Sequence, residues 1–257
     1  ATGTVGAAIT AKASPDGYTL MMVPSGPFTI SASTYQSLPY DAVKDFAAIS
    51  LLAWVTNVIV VPQASPANTL QDLIRMAKEK PGQLSHGSSG AGSLHHLAAE
   101  VMKKLTGTSM IHVPFKGAGP MLVALAGNEV TFAFASAPSA VPLIQSKRLR
   151  AVAVTSQKRL PALPDVPTMA EAGVTLPAGL DIREWYGMLA PAKTPRAIID
   201  KLNAEMVAIF RKPDVQARLV DMGAEVAGST PAELAKRLAY DVTTWAKWVK
   251  EAGIRAD

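Results

Sequence analysis

The segment HGSSGAGSLHHLAAE, residues 86–100, gathers hydroxyl, imidazole and glycine residues where a strand gives way to a helix. That order of residues suits the capture of an anion. Backbone N–H groups at a helix start lack partners inside the helix, and the helix dipole favours negative charge there. Gly87, Gly90 and Gly92 let the backbone come close to a ligand, and Ser88, Ser89 and Ser93 supply hydroxyl donors. A structural reading fits the loop equally well: Ser93 caps the helix and the glycines only turn the chain.

Sharper chemistries can be tested on the same residues. The dinucleotide fingerprint needs a glycine where His95 stands, and the Walker phosphate loop needs a Gly-Lys-Ser/Thr ending that is absent. No cofactor motif remains. The nucleophile elbow G-x-S-x-G nearly matches at Gly87–Ala91, but Ala91 replaces the last glycine. A serine hydrolase using Ser89 and His96 is therefore the competing idea. His95 and His96 are adjacent on a helix and point to different sides, which argues against a shared metal ion. His96, in the first helical turn, can face the loop.

Two further strand-to-helix junctions carry polar groups. Lys116 and Gly117 lie in HVPFKGAGP, residues 112–120, and Ser136-Ala137-Pro138 forms the next junction. Loops from successive parallel strands converge at the carboxyl edge of a sheet. Ser25-Gly26 is a fourth such junction, nearer the N-terminus. Lys116 also reads as an ordinary solvated lysine.

The elements that must position these loops follow from periodicity. Strands are predicted at Tyr18–Val23, Val58–Val61, Ile111–Phe115, Val130–Ala135, Arg150–Thr155 and Trp185–Leu189. Val58–Val61, apolar on both faces, reads as a buried parallel strand. Helices alternate with the central strands. Thr69 caps one that carries Leu70, Leu73, Ile74 and Ala77 on one face. The tail is helical, with a helix after Pro195, a short one from Pro213, and a last one opened by the capping box Thr230-Pro231-Ala232-Glu233. Short connections between alternating strands and helices indicate an α/β fold.

Composition narrows the class. The 257 residues are 49% hydrophobic and 18% charged, which describes a globular chain with room for one large domain or two lobes. The absence of cysteine excludes disulfides and thiolate metal sites. The net charge of +5 is spread singly along the chain rather than gathered in a patch, so nucleic acid is not an expected partner.

Several segments together resemble the Bug receptor family of tripartite tricarboxylate transporters: SPDGYTL, LPYD, KDFAAIS, GSSGAGSLHHLAAE, HVPFKGAGPML, LRAVAVTS, LPALPDVPTMAEAG, EWYGMLAPAKTP and WVKEAGIRAD, in family order. The resemblance implies a two-lobed periplasmic-binding-protein fold, each lobe a mainly parallel sheet flanked by helices, with a hinge between lobes. It places residues 1–61 and 182–257 in lobe 1 and residues 62–181 in lobe 2. It implies a periplasmic solute receptor that binds a small carboxylate without catalysis. Membrane permease subunits are the implied partners, and a sensor reporting to a membrane kinase is the alternative. Carried over, the ligand-binding candidates are Ser25 and Gly26 from one lobe and Ser88, Ser89, Gly90, Gly92, Ser93 and His96 from the other. Lys116, Gly117, Ser136 and Ala137 join them. Trp185 stands either at the cleft edge or in the core. Three positions depart from the family pattern: Ala91 stands for Asn, Phe115 for Tyr and Thr131 for Asp. The family also begins with a strand, a Pro-Gly-Gly loop and a helix ahead of the first residues here, so those elements are expected upstream of Ala1.

Overall fold

The computed structural model describes residues 3–253, so Ala1, Thr2 and the Ile254–Asp257 end of the closing motif lie outside the described residues. The chain forms two compact units. One comprises Ala1–Trp54, Glu184–Val220 and Glu225–Asp257; the other comprises Val55–Arg183 and Asp221–Ala224. In chain order the elements are α1 (Thr4–Ala11), β1 (Met21–Pro24), α2 (Ser25–Thr34), β2 (Phe46–Val55), β3 (Asn57–Pro62), α3 (Leu70–Glu79), β4 (Ser85–Ser88), α4 (Leu94–Thr106) and β5 (Ile111–Pro114). They continue with α5 (Ala118–Ala126), β6 (Phe132–Ser136), α6 (Ala137–Gln145), β7 (Leu149–Val154), β8 (Glu184–Pro191), α7 (Arg196–Phe210), α8 (Pro213–Asp221), β9 (Ala224–Val226) and α9 (Pro231–Ala252).

The first unit is built on the sheet β1-β8-β2-β9. Its β1 and β8 run antiparallel, Met21 opposite Leu189 and Pro24 opposite Tyr186. Val23, Phe28, Phe46, Leu51, Trp185, Leu189, Leu234 and Leu238 form its core. Phe28, Tyr40 and Phe46 make an aromatic trio with centroid separations of 5.2–5.9 Å, the range in which edge and stacked contacts add to burial. Helix α2 starts at the Ser25-Gly26 junction. Its Thr29 hydroxyl donates to the Ser25 carbonyl at 2.7 Å, and Ser31 and Thr34 bond carbonyls one turn back. Such back-bonding satisfies buried hydroxyls within a helix of poor intrinsic propensity.

The second unit is built on the sheet β5-β4-β6-β3-β7. Here two expectations are corrected. Val58–Val61 belongs to this second unit, the first unit giving way at Val55 rather than near Val61. It also runs antiparallel to both neighbours, β6 and β7. An apolar run buried on both faces specifies a central position but not a direction. Parallel pairing is confined to β4 with β5 and β4 with β6, so the sheet is mixed. Its core packs Val58, Val60, Met121, Leu125, Ala133, Ala135, Leu149 and Val154. Gly87 packs closely there, a Cβ at this position falling 3.0 Å from Met121 Cγ.

Trp185 ties the first unit together. Its indole is 0% exposed and donates to Asp241 Oδ2 at 2.6 Å, while its backbone N–H donates to Ser25 Oγ at 3.0 Å. Replacing it by alanine leaves a cavity and removes one of the two donors, Trp185 and Arg237, on Asp241 Oδ2. Trp185→Ala is expected to lower unfolding free energy by about 3–5 kcal/mol in urea titrations, with Trp185→Phe losing less.

Candidate functional site

Strands β5, β4 and β6 lie side by side and point the same way, Ser88 pairing with Pro114 and Gly87 with Ala133. Each runs into a helix: β4 through residues 89–93 into α4, β5 through residues 115–117 into α5, and β6 directly into α6. The parallel alignment therefore brings Ser88, Ser89, Gly90, Gly92, Ser93, Lys116, Gly117, Ser136 and Ala137 to one edge of one sheet. The first two loops are stitched by the Phe115 N–H donating to the Ser88 carbonyl at 3.0 Å. Gly117 holds φ at 113° to open α5, a value that a side chain would strain.

The three helix starts are not equally satisfied. Ser93 caps α4, its Oγ accepting the His96 N–H at 3.2 Å. Neither Gly117 of α5 nor Ser136 of α6 provides a side-chain cap. The Ser136 hydroxyl instead bonds Ser139 at 2.9 Å, and the Ala137 N–H donates to the Thr56 carbonyl at 2.9 Å. Lys116 is exposed beside the start of α5.

Histidines hold the first loop in shape. Ser88 Oγ lies 2.7 Å from His112 Nε2, and Ser89 Oγ lies 2.9 Å from His95 Nδ1. The Gly92 N–H donates to His96 Nδ1 at 3.3 Å. That bond leaves the ring proton of a neutral His96 on Nε2, which faces Glu100 Oε1 at 3.8 Å. His96 stacks on His112 with centroids 3.6 Å apart, and His86 lies 5.0 Å from His112. His86 Nε2 is 3.4 Å from Glu100 Oε1, at an angle too poor for a proper hydrogen bond.

Burial keeps all four imidazoles neutral. It lowers His86, brings His95 and His96 to about 4, and, with the charges of His96 and His86, brings His112 to about 3. Burial pushes Glu100 upward, but the His86 contact and the Lys103 ammonium at 2.8 Å outweigh it and hold the carboxyl at about 2. The Lys103 contact, shorter and better aligned, is the firmer of the two.

The first unit presents its candidates differently. Ser25, at the first position of α2, is buried and accepts the Trp185 N–H. Glu184, 7% exposed at the start of β8, has its carboxyl raised to about 7 by burial. Of the two places the sequence leaves open for the Trp185 side chain, the structure shows the core.

Sequence reasoning named His96 and missed His86, His95, His112, Glu100 and Glu184. His112 opens the HVPFKGAGP segment and Glu100 closes the HGSSGAGSLHHLAAE segment, so both stood inside the motifs without being weighed. Glu184 precedes the Trp-Tyr-Gly of the eighth strand and carried no local signal. The Ser89–His96 pairing of the hydrolase idea is corrected: Ser89 bonds His95, and His96 serves Gly92. A base held neutral down to about pH 4 and buried is a poor proton acceptor at neutral pH. Among the described residues no group of three or more histidines and carboxylates could hold a metal ion.

The comparisons with known proteins give the family. Residues 1–254 match the family described as "Tripartite tricarboxylate transporter family receptor". The chain belongs to that family. It is a solute receptor and not an enzyme. A protein encoded in the tcbD–tcbE intergenic region of a Pseudomonas species is 35% identical over 99% of this chain and 75% of its own length. BugT of Bordetella pertussis is 32% identical over 98% of this chain and 77% of its own. Among solved structures, Rpa4515 of R. palustris with adipate has TM-score 0.91 and 34% identity, over 98% of this chain and 84% of that one. MatC of Rhodopseudomonas palustris with bound malate has TM-score 0.86 and 30% identity, over 97% of this chain and 85% of that one. Among the described residues no helix is long and apolar enough to cross a membrane.

Two outcomes follow for the free receptor. Ser93→Ala removes the α4 cap and is expected to cost about 0.5–2 kcal/mol in denaturant unfolding. The histidines also set a pH dependence. Their folded values lie below the unfolded value of 6.5, so the unfolded chain binds more protons between about 6.5 and 4. Their contribution is complete above 6.5 and is lost as pH falls. Glu184, raised to about 7, acts oppositely, but one carboxyl stands against four imidazoles. The melting temperature is therefore expected to fall between pH 7 and pH 5, and to fall less in His112→Gln.

Proposed function

We propose that this receptor captures a small carboxylate in the periplasm and hands it to the membrane permease subunits of a tripartite tricarboxylate transporter. The observation that carries the reading is the set of helix starts at the carboxyl edge of β5-β4-β6. Two of them, at α5 and α6, have no side-chain cap, and Lys116 stands beside one. First-turn amides without intrahelical partners, with the dipole behind them, favour an oxyanion. Ser88, Ser89, Gly90 and Ser93 of the first loop, with His96 and Gly92 fixing its shape, complete the donor set on this unit. Gly117, Ser136 and Ala137 lie at the other two starts.

The relatives with adipate and malate in their structures support a carboxylate, and both of those ligands carry two carboxyl groups. Ser25 and Gly26, at the start of α2 in the first unit, are further candidates on their own unit. Backbone amides and hydroxyls bind an anion without committing a full countercharge, which eases release to a permease.

A thermal-shift screen tests this. Adipate, malate, other di- and tricarboxylates, amino acids and neutral sugars are compared at matched ionic strength. A bound carboxylate at one hundred times its Kd is expected to add about 2.7 kcal/mol to apparent stability. Stabilisation by sugars with none by carboxylates would overturn the reading.

A further inference from the structure

Asn57 places an unpaired acceptor at the edge of the second unit's sheet where β6 runs into α6. The residue opens β3 and is 0% exposed. Its side-chain N–H donates to the Ile182 carbonyl at 2.8 Å. A carbonyl only accepts, so this bond fixes which arm of the amide is nitrogen and which is Oδ1. The backbone is engaged as well: the Asn57 N–H donates to Thr155 Oγ1 at 3.0 Å, and its carbonyl takes the Thr155 N–H at 2.9 Å. Among the described residues Oδ1 has no donor. Buried acceptors are nearly always paired, and one that is not is a place for an external donor.

The strand register fixes where that acceptor stands. Asn57 lies opposite Ser136, the residue that leads into α6. Such cross-strand neighbours share a face, with Cβ atoms about 4.5–5.5 Å apart. Ser136 and Ser139 share one hydrogen bond of 2.9 Å, so their two hydroxyls keep one proton spare. The amides of this helix start are largely committed: the Ala137 N–H goes to the Thr56 carbonyl at 2.9 Å, and Pro138 has none. Strands β3 and β6 and helix α6 carry no charged side chain. The α6 start is therefore richer in acceptors than in donors, the reverse of the α5 start beside Lys116.

We propose that Asn57 Oδ1 receives a hydroxyl of the ligand, so that the receptor selects hydroxycarboxylates over the same acids without the hydroxyl. The inference deepens the proposed capture of a carboxylate and rests on it. The first loop leaves β4, the parallel neighbour of β6, and takes the carboxylate. Neighbouring strands lie about 4.8 Å apart, a spacing that a hydroxyl one or two carbons from the carboxyl group can bridge. The ligand O–H donates to Asn57 Oδ1, and its oxygen accepts the spare proton of the Ser136–Ser139 pair. An ammonium group in that place would bury a full charge against one neutral acceptor, so the matching amino acid is disfavoured.

Isothermal titration calorimetry with matched pairs of acids tests this. The pairs are malate and succinate, 2-hydroxyglutarate and glutarate, and 2-hydroxyadipate and adipate, with aspartate as the amino counterpart of malate. In the pair whose length fits, the hydroxy acid is expected to bind about 10- to 100-fold tighter, because the acid without it leaves the buried acceptor unpaired. Asn57→Leu, similar in size and without an acceptor, should erase that preference and leave the affinity for the unhydroxylated acid unchanged. A purely structural role for Asn57 would weaken both acids alike. Should Asn57→Leu fail to fold, Asn57→Ser, smaller and still polar, should show the same narrowing. Equal affinities within every pair, aspartate binding as tightly as malate, or a preference untouched by the substitution overturns the inference and leaves carboxylate capture standing. Binding of no carboxylate in the wider thermal-shift screen overturns both.

Discussion

Backbone N–H groups at the start of a helix have no partner within it, and the way each start meets that shortage organises this protein. Helix α4 solves it with a serine, Ser93 taking the His96 N–H. Helix α6 solves part of it with a carbonyl, Thr56 taking the Ala137 N–H. Helix α2, entered from Pro24, has no side-chain cap. Helix α5, opened by Gly117, has no side chain for the purpose. The same constraint thus yields different environments, and the uncapped α5 start with its neighbouring Lys116 is the one left most open to an external oxyanion. Where the chain has supplied its own acceptor, a ligand must share or compete.

The imidazoles extend the logic to a loop that is not helical. A neutral histidine can accept one bond and donate another, so it can fix a backbone amide without introducing charge. His96 does this for Gly92, while His112 and His95 hold the Ser88 and Ser89 hydroxyls. Stacking of His96 on His112 at 3.6 Å is possible because both rings are uncharged; two imidazolium ions at that distance would repel. Glu100 faces two of the rings but is engaged by Lys103, so its charge is spent locally. The loop's donors are therefore oriented dipoles rather than ions.

Much of this was legible in the residues because local chemistry and tertiary role coincide. Thr69 as a cap and Thr230 with Glu233 as a capping box are both found in the structure, which adds Asp72 to the first. The glycine- and serine-rich loops fell at strand-to-helix junctions because turn chemistry and sheet topology agree there. Other elements were hidden where the two part company. In α2, Ser25–Thr34 reads as a break, since its prolines and hydroxyl residues disfavour a helix; burial and back-bonded hydroxyls override that preference. Phe46–Val55 is apolar without clear period, so nothing local told strand from helix. The direction of β3 depends on which strands flank it, Val58 facing Ala135 and Val154, and sequence spacing carries no record of that. Glu184 was invisible for the same reason: its burial depends on the pairing of β1 with β8, which joins segments remote in the chain.

Attraction alone makes a poor receptor. Helix starts and a lysine draw any small anion, phosphate and sulfate included, so discrimination requires something that penalises the wrong one. The neutral imidazole wall offers no countercharge to a compact, highly charged anion that has lost its water. A compact anion therefore loses more hydration than the uncapped helix starts return, whereas a carboxylate, its single charge spread over two oxygens, is matched by oriented N–H donors.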